Sequence, residues 1–171
     1  QIMPKSSINM QSKSVKIYPS WLEAIAQTCI AIFCEGKTAD KEIPALLKRQ
    51  QKWGSRDRKF VAESLYEIVR WWRLLDFQIT GKEHHAPQND KTYWLQIFRA
   101  YLRKQDYDIL NPEIFEGLPE IGNYISENPA ITSSYSDELY NKALKEIGED
   151  WHELAVKLNE IAPVYIRVNT L

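Results

Sequence analysis

Two cysteines in 171 residues, Cys29 and Cys34, exclude a disulfide framework, and their five-residue spacing is not that of a CxxC redox pair. Both fall on an apolar helical pattern and read as buried structural thiols. The six glycines form no phosphate-cradling loop. No apolar run approaches a membrane span, and Gln1 to Lys16 lacks the apolar centre of a signal peptide, which together point to a cytoplasmic protein with no membrane partner. Charge of one sign is also missing overall. A net charge of -1 and a pI near 6.4 argue against a globally basic nucleic-acid binder, so RNA contact would have to come from a local patch. The adjacent His84 and His85 have no cysteine or carboxylate at a ligand spacing and read as solvated residues, with no metal expected. With no Ser/His/Asp arrangement either, this chain reads as catalytically inert.

What is present is apolar and aromatic content, 44% and 12% respectively, enough for one compact core. Charge is segregated along the chain. Residues 37–73 carry ten Lys or Arg against five Asp or Glu, a balance of +5, whereas residues 106–160 carry three against thirteen, a balance of -10.

The pattern predicts an all-α protein. Residues 1–19 read as a loose Ser, Lys and Gln-rich arm. Ser20 is the expected N-cap of a core helix with Leu22, Ile25, Ala26, Cys29, Ile32 and Phe33 at helical spacing, ended by Gly36. A second helix is expected from about Asp40 to Gln51, with Pro44 tolerated only in a first turn. After Gly54, Ser55 is expected to cap a long central helix to about Phe77, its apolar face formed by Val61, Leu65, Ile68, Val69, Trp72 and Leu75. Gly81 to Asp90 reads as a loop, and Tyr93 to Leu102 as another apolar helix. Short helices are predicted around Pro112–Gly117, Pro119–Ser126 and Pro129. Ser136, followed by Asp137 and Glu138, starts a helix ended by Gly148, and a last helix spans about Asp150 to Ile161.

On a helical wheel, Arg56, Lys59, Glu63, Glu67 and Arg70 share one polar face of the long helix. Arg58 falls on the apolar side and is predicted to be structural, bridging to a carboxylate or to carbonyls at a helix end. Lys48, Arg49 and Lys52 precede the helix and Arg73 extends the row. The candidate RNA-binding residues are therefore Lys48, Arg49, Lys52, Arg56, Lys59, Arg70 and Arg73. The spacings Lys59–Glu63 and Glu67–Arg70 equally suit a solvated face of weak ion pairs, and both readings stand open. Trp71, nearer the polar side than Trp72, is the candidate for stacking on an RNA base.

The block from Trp53-Gly54-Ser55-Arg56-Asp57-Arg58-Lys59-Phe60 through Tyr66-Glu67-Ile68-Val69-Arg70-Trp71-Trp72-Arg73 resembles the core helix of the NusB-like N-terminal domain of Sun-type RNA cytosine-5 methyltransferases, the RsmB family. Ser134-Tyr135-Ser136-Asp137-Glu138-Leu139, Leu144 to Gly148, Trp151, Leu158-Asn159, Ala162-Pro163 and Arg167-Val168-Asn169-Thr170-Leu171 are similar to the stretch joining that domain to the methyltransferase part, with Ser136, Asp137 and Glu138 standing where the family usually has Pro, Asp and Trp. The resemblance covers about a third of the chain. It implies a NusB-like helical RNA-binding domain over residues 20–162. Residues 163–171 would be the first strand of a following α+β domain, cut off at Leu171. It further implies that the full-length parent binds S-adenosylmethionine, that its catalytic cysteines lie beyond this chain, and that ribosomal RNA is its substrate. Cys29 and Cys34 take no catalytic role. The missing methyltransferase domain would be a partner of this one.

Two other readings remain open. One is a stand-alone NusB-like RNA-binding or antitermination factor, although the helix from Ser20 to Glu35 contains no Lys or Arg. The other is a protein-docking helical domain whose acidic region, residues 106–160, meets a basic partner.

Overall fold

The computed structural model describes residues 13–160, so the terminal strand expected from Val164 to Leu171 lies outside the described residues. The chain divides into two compact units, with the boundary between Ile125 and Ser126. Among the described residues there are seven α-helices and a short two-stranded parallel sheet, so the protein is mostly helical as its sequence pattern predicts.

The described part of the first unit opens with a strand, within residues expected to belong to a loose arm. Strand β1, Lys13–Val15, pairs in parallel with β2, Tyr107–Ile109, with Val15 opposite Ile109. Alternation explains this: in Val15-Lys16-Ile17-Tyr18, Ile17 is buried while Lys16 and Tyr18 face solvent. Asn111 holds the turn, its Oδ1 accepting from the Ile17 N–H and its Nδ2 donating to the Ile17 carbonyl, both at 2.8 Å. Helix α1, Pro19–Phe33, then starts one residue before the predicted Ser20 cap. Tyr18 is the N-cap and Pro19, with its φ already fixed, supplies the first helical residue. Residues on several sides of α1 are buried, including Trp21, Ala24, Ile25, Thr28 and Cys29, as befits a helix enclosed by its neighbours. The helix stops at Phe33, and Cys34 is exposed, correcting the reading of both thiols as buried.

Helix α2, Ala39–Arg49, has Asp40 and Glu42 in its first turn and Lys48 and Arg49 in its last, the polarity the macrodipole favours. Pro44 sits in its second turn rather than the first, where it withholds an N–H from the Asp40 carbonyl. Helix α3, Ser55–Thr80, packs against α1, α2 and α4, Lys91–Lys104. Its end is set by Gly81, at φ 68°, and α4 begins where the Asp90 carboxylate accepts from the Tyr93 N–H at 2.9 Å. Trp94, Phe98, Ile25, Val61, Leu65, Ile68 and Leu75 fill the space between these helices.

After β2, the predicted short helix at Pro112 is a 3-10 turn, Pro112–Phe115, but no helix forms over Pro119–Ser126. That stretch has no regular secondary structure, and the backbone at Gly122 and Tyr124 finds partners on α4 and α3. Arg103 donates to the Gly122 carbonyl at 2.9 Å, and the Tyr124 N–H donates to the Gln78 carbonyl at 3.2 Å. A Cβ at Gly122 would come within 2.5 Å of the Tyr124 ring and 3.1 Å of the Gln78 carbonyl, so a side chain there would have to displace that ring.

The second unit contains α5, Pro129–Thr132, α6, Asp137–Ile147, and α7, Asp150–Leu158. Ser136 caps α6 as predicted, its hydroxyl accepting from the Leu139 N–H at 3.2 Å. Ala130, Tyr140, Trp151 and Ala155 make the core, with Tyr135, Ala143 and Leu144 against it.

Candidate nucleic-acid interface

The basic residues singled out in the sequence lie on α2, α3 and the turn between them. Lys48 and Arg49 end α2, Lys52 lies in the turn, and Arg56 and Lys59 occupy the start of α3; all five are exposed. Arg70 and Arg73 continue the same α3 stripe and are half-buried. From Arg56 to Arg70 the stripe extends about 21 Å at the helical rise, long enough to follow several phosphates of one strand.

Arg58 anchors this arrangement instead of belonging to it. Its guanidinium donates to the Leu47 carbonyl, one of the last four carbonyls of α2, which lack intrahelical donors. The predicted helix-end bridge is therefore present, and it fixes the end of α2 against the start of α3. The Arg58 Nε is buried without a hydrogen-bond partner among the described residues.

Carboxylates already engage part of the surface. Arg49 pairs with Glu42 at 2.8 Å, which holds the Glu42 carboxyl below its ordinary range against a smaller opposing effect of burial. Lys59 lies 3.7 Å from Glu63, an exposed i, i+4 pair of the weak kind expected from the spacing. Glu67 accepts from the Trp71 indole N–H at 3.1 Å.

Trp71 sits among cations. The Lys104 ammonium lies 4.0 Å from the ring centroid and the Arg70 guanidinium 6.0 Å. Burial pushes the Lys104 pKa down, Glu67 opposes that shift, and the neighbouring Arg70 charge adds to it. The sequence reading passed over Lys104, because nothing in the α4 pattern indicates which residue of α3 it will cover. It also passed over Tyr66, which is 46% exposed. At 100° per residue Tyr66 falls between Lys59 and Arg73 on the stripe, a placement the wheel could have supplied.

The histidine pair divides. His84 is exposed, whereas His85 is half-buried and donates from Nδ1 to the Asp76 carboxylate at 2.8 Å, correcting the reading of both as solvated. The same Asp76 oxygen accepts from the Tyr93 hydroxyl at 2.7 Å, and the Trp72 indole N–H donates to that hydroxyl at 2.9 Å. The His85 Nε2 accepts from the Gln88 amide at 2.8 Å. The network ties the loop after α3 to α3 and α4. Burial pushes the Cys29 thiol far up, which removes it as a nucleophile. Among the described residues no group of His, Cys, Asp and Glu could hold a metal ion, and no helix is long and apolar enough to cross a membrane. No family model, curated protein or solved structure matches the chain.

Proposed function

We propose that this chain is the RNA-recruiting, NusB-like N-terminal domain of an S-adenosylmethionine-dependent RNA cytosine-5 methyltransferase acting on ribosomal RNA. In this reading it holds RNA on the α2–α3 face while chemistry and cofactor belong to a following domain. The observation that carries it is the cluster of exposed Lys48, Arg49, Lys52, Arg56 and Lys59 across the end of α2 and the start of α3. The mostly helical build and the family-like Trp53 to Arg73 block support the assignment.

Anisotropy titrations of labelled RNA across a salt series test the binding face. Combined reversal of Arg56, Lys59 and Arg70 to Glu should flatten the slope of log affinity against log salt by about 2, at roughly 0.7 per phosphate contact of a single strand. An unchanged slope would mean that the face is only solvated. The methyltransferase assignment is tested by the natural reading frame past Leu171. A continuation with a cofactor-binding domain and a Pro-Cys motif supports it, and a stop codon there sinks it.

A second reading, protein docking, is favoured by the second unit. Its helices α6 and α7 expose Leu139, Ile147, Leu154, Val156 and Leu158 at 38–58%. Residues 126–160 also carry eight Asp or Glu against three Lys. A basic protein partner would suit that composition.

A further inference from the structure

The α3 stripe is poorly suited to binding duplex RNA by charge alone. Glu63 and Glu67 lie among its cations, Lys59 already faces Glu63, and Arg49 is engaged by Glu42. What distinguishes this surface from a bland row of lysines is its two rings. The Tyr66 phenol is nearly half exposed in the middle of the row, four residues before Arg70 and therefore on the neighbouring turn of the same face. The Trp71 indole lies on the other side of Arg70, its orientation fixed by the bond from Nε1 to Glu67. One cation, Lys104, lies over the indole at 4.0 Å, with Arg70 at 6.0 Å. Glu67 already offsets part of the positive charge at this ring, so a phosphate would join an existing mixed-charge cluster whose ammonium is partly dehydrated. A ring face that attracts an ammonium also accepts a nucleobase, at similar energy.

Extending the RNA-binding reading above, we propose that the α3 face takes single-stranded rather than duplex RNA, stacking unpaired bases on Tyr66 and Trp71, with Lys104 moving from the indole to an adjacent phosphate. Paired bases keep their faces inside the helix, so only unpaired ones can reach these rings. Lys104 is suited to this exchange because its long side chain can swing from ring to phosphate without any backbone movement.

The probe is a fluorescein-labelled oligouridylate of about 12 nucleotides, compared with a duplex of the same length and with a copy carrying abasic positions. All three are titrated with the full chain by anisotropy across a salt series. Tyr66→Ala, an exposed change that spares the core, should weaken the single strand about 5- to 150-fold, leave the duplex and abasic probes within about twofold, and preserve the salt slope. Trp71→Leu should act in the same direction, and Trp71→Phe, which keeps a ring and most of the packing, should retain most of the affinity. Lys104→Gln should lower the single-strand salt slope by about 0.7, one phosphate contact.

If Tyr66→Ala and Trp71→Leu leave single-strand affinity unchanged while the wild-type salt slope persists, stacking is overturned and the electrostatic face survives. Equal loss on duplex, abasic and single-stranded probes also overturns stacking. Absence of salt-dependent binding to every probe overturns both stacking and the RNA-binding reading. An unaltered slope in Lys104→Gln removes the lysine from the proposal.

Discussion

Residues 13–125 fully bury Trp94, Phe98, Ile25, Leu65 and Ile68 among four long helices, whereas residues 126–160 close around Ala130, Tyr140, Trp151 and Ala155. Both regions are built largely of amphipathic helices, with side-chain N-caps at α4, α5 and α6. Their cores differ in volume, and charge follows the same division: the first carries seventeen Lys or Arg against fifteen Asp or Glu, the second three against eight. A large core can accommodate a buried polar network such as Asp76, Tyr93, His85 and Trp72, because surrounding packing offsets its desolvation. The small core leaves Val156 and Leu158 more than half exposed. Helix-forming sequence alone therefore does not make the two units equals; the apolar volume enclosed between helices does.

The sharpest way to break that comparison is to empty each core. Trp94→Ala should cost the first unit about 3–5 kcal/mol in urea denaturation followed by helical circular dichroism. Trp151→Ala should collapse amide protection within residues 126–160 in hydrogen exchange and leave protection around Trp94 at its wild-type level. Loss of protection throughout the chain in Trp151→Ala would show that the two units fold as one.

Removing the buried carboxylate should have a smaller but clear effect. Asp76→Ala leaves the Tyr93 hydroxyl and the His85 Nδ1 without their shared acceptor, at a cost of about 1–3 kcal/mol for each group stranded. The same variant should release the 82–90 loop, seen as faster exchange there. A variant as stable as wild type would mean that the loop is held by packing alone.

Asn111→Ala probes the β1 anchor. It removes two hydrogen bonds to Ile17, about 1–2 kcal/mol together, and should raise exchange at Ile17 before any change in α3.

The smallest effect concerns Glu42. Its carboxyl is held below the ordinary value, chiefly by the Arg49 bond, so the stabilisation is complete above that ordinary value, about 4.3, and is lost as pH falls through the depressed one. Glu42→Gln should remove this acid-side loss, measured as the difference in thermal midpoint between neutral and acid solution. It should also release Arg49 and steepen the RNA salt slope slightly. If the acid-side difference is the same in both proteins, the pair contributes nothing.

Several features were legible in the residues. The periods of α1, α3 and α4, the Ser136 cap, the Gly148 stop and the structural role of Arg58 all follow from local rules of spacing and capping. The candidate basic face was legible as a stripe, because residues of one helix keep fixed angular relations. Its partner from α4 was not: Lys104 reaches Trp71 only through the packing of α3 on α4.

The amino-acid order by itself determined which segments coil, where most of them stop, and which sides of them are apolar, since those depend on neighbours within a turn or two. Only the tertiary structure decided that Lys13–Val15 pairs with a strand 94 residues away, that Gly122 and Tyr124 bond to α4 and α3 in place of a helix there, and that His85 turns inward to Asp76. Each of those outcomes depends on a donor or acceptor supplied from a distant part of the chain. No local pattern encodes a partner that arrives only when the helices pack.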